Sequence, residues 1–213
     1  MKILEYIMTH QETIIDSIIR HFALFAVSMT FAIIAGIGLS ILITSEGKER
    51  IGRHVLTITG ASQAVPSVAV IAIAYLFVGI GVKPAIIALV LYSLVPVVFN
   101  ATSGILSVPP GVIQAAKGMG LTRSQRLWRV KIPLCIPVIM SGIRSASTIN
   151  IGTVTVAAII GGGGLGDIIY TGLKLGRTDM IIVGAGFAAL MAIAVDTVLQ
   201  VVEKKITPRG LQY

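Results

Sequence analysis

The chain has 213 residues, 55% hydrophobic and 12% charged, where a soluble domain carries about 25% charged residues. Such a mixture cannot clothe a water-soluble surface, so the chain reads as an integral membrane protein. Its net charge of +8 sits in short segments, with no Asp or Glu between Arg50 and Gly166, a pattern that speaks of membrane topology and not of a nucleic-acid-binding face.

Residues 3–20 carry Ile3, Leu4, Ile7, Ile14, Ile15, Ile18 and Ile19 at helical spacing among Glu5, Glu12, Asp16 and Arg20. This predicts an amphipathic helix at the interface or against the bundle, and residues 1–20 are set apart as an N-terminal interfacial segment. Lys2 is not followed by a short apolar core ending in a small-residue cleavage site, so the first span is expected to act as its own uncleaved insertion signal.

About 20 apolar residues in a helix cross a hydrocarbon core of about 30 Å. Five segments qualify, roughly 22–44, 55–80, 84–106, 134–160 and 180–202. The expected fold is an all-α membrane protein, with a transmembrane domain over 21–202, an insert at 108–133 and a tail at 203–213. Lys48, Arg50 and Arg53, then Lys117, Arg123, Arg126, Arg129 and Lys131, then Lys204, Lys205 and Arg209 fall on one side of a five-span arrangement. The positive-inside rule therefore expects the N-terminus outside and the C-terminus in the cytoplasm.

The spans hold interruptions. The second contains Gly60-Ala61-Ser62-Gln63-Ala64-Val65-Pro66-Ser67, the third Ser93, Pro96 and Asn100, and the fourth Ser141, Arg144, Ser145, Ser147, Thr148 and Asn150. A proline break is tolerated where neighbouring helices or a wet cavity satisfy the freed backbone. Small polar residues serve close helix packing. The larger Gln63, Asn100, Arg144 and Asn150 are candidates for facing an internal pathway, because they are costlier in lipid. Arg144 lies about 16 Å of helix beyond Pro133, and Asp196 about 12 Å before Lys204. They are therefore candidates for a buried ion pair; alternatively, Arg144 meets a carboxylate on a solute. The lone Cys135 and the scattered His10, His21 and His54 offer neither a disulfide framework nor a metal site.

The insert reads as two short helices joined by a turn. Pro109-Pro110 starts the first, Ala115 and Ala116 suit a close-fitting groove, and Gly118 or Gly120 ends it with a left-handed residue. Thr122-Arg123-Ser124-Gln125 forms a capping box for the second. That helix is expected to turn Leu127, Val130 and Trp128 to one side and Arg126 and Arg129 to the other, and to stop at Pro133.

This stretch resembles the permease subunits of binding-protein-dependent ABC importers. Their signature is Glu-Ala-Ala, three residues, Gly, nine residues and Ile-x-Leu-Pro. Here it runs Gln114-Ala115-Ala116, Gly120 and Val130-Lys131-Ile132-Pro133, with Gln114 in place of the glutamate. The resemblance covers about residues 20–205. It implies the type I ABC importer transmembrane fold and a coupling helix for a separate ATPase, with Gln114, Ala115, Ala116, Gly120, Thr122, Leu127, Trp128 and Pro133 as coupling residues. It also implies a second permease, identical or paralogous, and an extracytoplasmic binding protein in a bacterial cell membrane. Gln63-Ala64-Val65-Pro66-Ser67, Gly142-Ile143-Arg144-Ser145-Ala146, Asn150-Ile151-Gly152, Gly161-Gly162-Gly163-Gly164-Leu165-Gly166 and Thr207-Pro208-Arg209-Gly210 look similar to the osmoprotectant branch, which imports glycine betaine, carnitine or choline. A quaternary ammonium favours aromatic faces, which makes Tyr92 a pathway candidate.

Gly161, Gly163 and Gly166 formally match a dinucleotide fingerprint, but they follow a membrane span and not a strand. The chain also lacks a Walker Lys-Ser/Thr loop. It is therefore expected to be non-catalytic and to bind no cofactor, with ATP used by the partner ATPase. An importer of methionine or another amino acid with the same architecture is the alternative. A stand-alone secondary transporter would want several intramembrane carboxylates or inverted repeats, and would leave the insert unexplained.

Overall fold

The computed structural model describes residues 2–208 and Gly210. Arg209, counted with the basic tail and the Thr207–Gly210 stretch, lies outside them. Among the described residues every regular element is helical: α1 (Lys2–Thr9), α2 (Gln11–Ile43), α3 (Glu49–Ser62), α4 (Ser67–Val78), α5 (Val82–Ser107), α6 (Pro110–Gly118), α7 (Arg123–Arg126), α8 (Ile132–Ala157), α9 (Leu165–Leu175) and α10 (Thr178–Ile206). A π-helical stretch, Leu127–Lys131, joins α7 to α8, and a 3-10 turn, Ala158–Ile160, extends α8.

Four helical stretches are long and apolar enough to cross a membrane: Gln11–Ile43, Val82–Ser107, Arg123–Ile160 and Thr178–Ile206. The pair α3 and α4 passes the same test only when taken together, and it is bent by 97° at its break. That break is the interruption expected at Gln63–Pro66. Pro66 sits there in extended conformation (φ −62°, ψ 136°) and opens α4.

Three elements differ from the sequence expectation. Residues 11–20 are not part of a separate interfacial helix but the opening turns of α2. Amphipathicity permits this, because Asp16 and Arg20 pair at 2.8 Å on the exposed side while Ile14, Ser17 and His21 are buried. Pro133 does not stop a helix, since Arg123–Ile160 runs on as one helical stretch. The π register explains it: the Ile132 N–H reaches back five residues to the Leu127 carbonyl, so the donor that Pro133 lacks is not missed by the usual four-residue ladder. Finally, α9 occupies part of what reads in the sequence as a glycine-rich connection.

The chain divides into two compact units. The first comprises Met1–Ala32, Val65–Ser93 and Ala146–Asp196. Its core packs Tyr6, Ile14, Leu165, Ile168, Met180, Val183 and Ala188 from α1, α2, α9 and α10; Ile71, Ala74, Ala85, Ala88, Ala157 and Ile160 form a second cluster. The glycine run permits close approach here. A Cβ on Gly166 would stand 2.3 Å from the Thr155 carbonyl oxygen, and one on Gly164 about 3.0 Å from His21 Cα.

The second unit comprises Ile33–Ala64, Leu94–Ser145 and Thr197–Tyr213. Small residues bring its helices together as well. A Cβ on Gly142 of α8 would lie 2.4 Å from Asn100 Cβ of α5, and one on Gly36 of α2 would lie 2.6 Å from Val97 Cγ1. Hydroxyls stitch α2 to α5, where Ser40 donates to the Val98 carbonyl at 3.3 Å and accepts from Thr102 at 3.1 Å.

Candidate functional site

The insert lies wholly in the second unit. Pro109 precedes α6 in extended conformation and Pro110 is its first residue, where a missing N–H costs nothing. Gln114 and Ala115 are exposed, Ala116 is buried against the rest of the unit, and Met119 is 70% exposed. The helix ends in a Schellman motif at Gly120 (φ +77°). The Leu121 N–H donates to the Ala116 carbonyl at 3.1 Å, and the Gly120 N–H to Lys117 at 2.9 Å. Of the two glycines the sequence offers, Gly120 is therefore the left-handed one.

Two residues later the capping box forms in both directions. The Gln125 N–H donates to Thr122 Oγ1 at 3.3 Å, and the Thr122 N–H to Gln125 Oε1 at 2.8 Å. Leu127 and Pro133 are half-buried, while Trp128 is 58% exposed. Arg126, expected on a solvated side, is instead buried. Its Nε and Nη2 donate to Glu46 Oε1 and Oε2, each at 2.8 Å, and its Nη1 donates to the Leu121 carbonyl. Burying the guanidinium becomes tolerable because every face that leaves water finds an acceptor. The Glu46 carboxyl is held below the ordinary carboxylate range, chiefly by the hydrogen bond from Arg126.

The result is a short helix between α5 and α7, opened by prolines, closed by a Schellman turn, and exposed at Gly111, Val112, Gln114, Ala115, Lys117 and Gly118.

The candidate pathway residues divide between the two units. In the first, Tyr92 is half-buried. Asn150 is fully buried, and its Nδ2 donates to Ser28 Oγ at 3.0 Å and Ser93 Oγ at 2.6 Å. It thus ties α2, α5 and α8 together instead of facing an opening, because a buried amide is spent on satisfying hydroxyls inside the packing. In the second unit Gln63 is exposed at the break. Asn100 Nδ2 returns to the Pro96 carbonyl at 2.9 Å. Arg144 donates to Glu203 Oε2 at 3.1 Å; Glu203 stands in the last turn of α10 and not in a separate tail. Asp196, proposed from sequence as a partner of Arg144, is half-buried and belongs to the first unit.

Residues 32–209 match the family described as binding-protein-dependent transport system inner membrane component. The osmoprotectant import permease protein OsmY of Salmonella typhimurium is 40% identical over 189 residues, covering 89% of this chain and 80% of that one. The glycine betaine/carnitine/choline transport system permease protein OpuCB of Bacillus subtilis is 38% identical over 193 residues, 91% of this chain and 88% of its own. The choline transport system permease protein OpuBB of the same organism is 35% identical, covering 99% and 96%. In fold, the chain resembles the MetNI methionine ABC transporter in inward-facing form, with TM-score 0.79 at 20% identity over 92% of this chain and 96% of that one.

Proposed function

Because the chain belongs to the family of binding-protein-dependent transport system inner membrane components, and so is a multi-pass permease subunit of an ABC importer, we propose that it forms half of the pathway for a quaternary-amine solute such as glycine betaine, carnitine or choline. Its exposed α6 docks in a groove of a separate ATPase subunit. A second permease, identical or paralogous, completes the pathway, and an extracytoplasmic binding protein delivers the solute. ATP is bound and hydrolysed by the partner, so this chain is non-catalytic and carries no cofactor. The N-terminus lies outside and the tail in the cytoplasm.

One observation supports the docking role: α6, opened by Pro109-Pro110 and closed by the Schellman turn at Gly120, leaves Gln114, Ala115 and Met119 exposed. Gln114 offers a neutral amide where an ion pair is usual in the family, so the contact is a hydrogen bond that salt screens little. The solute class is supported by the relatives' names. In the first unit Tyr92 is proposed to face a passing cation; in the second, the exposed Gln63 is separately proposed to face a carboxylate or hydroxyl. Methionine import rests on a fold likeness at 20% identity, which does not reach the solute.

The test is to purify the tagged chain gently from native membranes and identify its companions. Recovery of an ATPase and a binding protein, the latter binding betaine, carnitine or choline but not methionine, is the expected result. Intact chain without an ATPase would overturn the proposed coupling, and a binding protein selective for methionine would overturn the solute class.

A further inference from the structure

The contact between Arg126 and Glu46 has a mechanical consequence. Glu46 lies in the turn that follows α2, a turn closed by Gly47 (φ +90°), whose N–H donates to Glu49 Oε2 at 3.1 Å. Directly beyond it, α3 is pressed to the ends of its neighbours. A Cβ on Gly52 would lie within 3.2–3.3 Å of Thr44 Cγ2, the Ile43 carbonyl oxygen and Leu106 Cδ1. The ends of α2, α3 and α5 thus form one tight corner.

Arg126 ties the insert to that corner. Its fork meets the Glu46 carboxylate with two parallel bonds of 2.8 Å, and its third nitrogen holds the Leu121 carbonyl at the Schellman end of α6. The Arg126 side chain is 9% exposed and Glu46 21%, so water competes little for the pair. Arg123 reaches the same carboxylate at 3.3 Å but is 81% exposed, and a pair of that kind contributes little. Bidentate guanidinium–carboxylate pairs fix angle as well as distance. A single point contact would let α6 swivel; this one does not.

We propose that Glu46 and Arg126 are positioning residues that make the coupling insert and the α2–α3 corner one rigid lever. Displacement of α6 then moves α2 and α3 together with α5 and α8, the helices to which the insert is joined through the chain. The proposal rests on the reading that α6 docks on an ATPase.

The experiment uses the whole importer reconstituted in lipid and measures solute moved per ATP hydrolysed, alongside the amount of ATPase retained. Glu46→Gln and Arg126→Gln are each expected to lower transport per ATP about tenfold, and the double variant no further, because both remove the same contact. Full transport per ATP in Glu46→Gln, or losses that multiply in the double variant, would overturn the clamp. Failure of the parent chain itself to hold an ATPase would overturn the docking reading instead. A second measurement needs no clamp variant. Spin labels at Arg53→Cys on α3 and Ser124→Cys on α7, with Cys135→Ser, report the distance between corner and insert. It stays constant through the ATP cycle if the lever is rigid. A distance that changes with ATP would refute it, even where Glu46→Gln does not assemble.

Discussion

At the scale of single residues, positions of the same type divide by the backbone or neighbour they meet. Gly120 and Gly118 both leave open space around an added Cβ, but only Gly120 has a positive φ, +77°. Gly120→Ala is therefore expected to cost about 1–2 kcal/mol of left-handed strain at the end of α6 and to weaken ATPase retention. Gly118→Ala, in ordinary helical conformation, should be neutral or slightly stabilising; equal ATPase retention by both variants would contradict this account. Arg144 poses a different question, because Glu203 already partners it at 3.1 Å. If Asp196 also serves that cation, as sequence depth suggests, the losses of thermal stability in detergent from Asp196→Asn and Glu203→Gln should not simply add in the double variant. Additive losses would mean that the two acids act independently, and would sink the pairing of Asp196 with Arg144. Charge alone points to acids such as Glu46 and Glu203 as partners for these cations. No acid occurs from residue 51 to residue 166, so any buried Arg of the insert or of α8 had to find its carboxylate outside that stretch. Asn150 could not be assigned that way, since an amide in a span looks the same whether it faces a pathway or two buried serines.

At the scale of elements, local rules placed the insert's ends. The prolines before α6, the left-handed glycine after it and the Thr122–Gln125 box are short-range chemistry, legible because each depends on residues within a turn. Thr122→Ala should cost ~1 kcal/mol through loss of the cap, seen as faster amide exchange at Ser124 and Gln125. The π stretch was not legible. Proline after a basic helix reads as a stop, and only the register of the ladder shows that Pro133 is accommodated. Acid should separate the clamp from the caps. The Glu46 carboxyl is depressed below its ordinary value, chiefly by Arg126. A depressed folded pKa means that the stabilisation is complete above the unfolded value of about 4.3 and is lost as pH falls through the folded one. Trp128 is the chain's single tryptophan and lies two residues from Arg126. Its emission should stay constant from neutral pH down to about 5 and change only below about 4, and the transition should vanish in Glu46→Gln. A midpoint near pH 6 would point to some other group.

At the scale of the whole molecule, the open matter is whether the bent pair α3–α4 crosses the membrane or returns to the side it entered from. Length and composition allow either, with four spans or five. The clamp decides. Glu46 follows α2, Arg126 follows α5, and the two side chains are bonded at 2.8 Å, so both turns lie at the same membrane face. Between them the chain traverses α3, α4 and α5, and α5 crosses once by itself. A second crossing is required to bring Arg126 back beside Glu46, and only α3–α4 can supply it. On that argument α3–α4 counts as one broken span, the larger of the two counts that length and composition allow. This agrees with the grouping of Lys48, Arg50 and Arg53 with the basic insert and tail, which a re-entrant loop would scatter over both faces. Single cysteines replacing Lys48, Lys83 and Ser124, in a Cys135→Ser background, check the point in sealed vesicles with an impermeant maleimide. Label should reach Lys48→Cys and Ser124→Cys from one face and Lys83→Cys from the other. Labelling of Lys48→Cys and Lys83→Cys from the same face would make α3–α4 re-entrant and would require Glu46 and Arg126 to lie on opposite faces, where no clamp between them could exist.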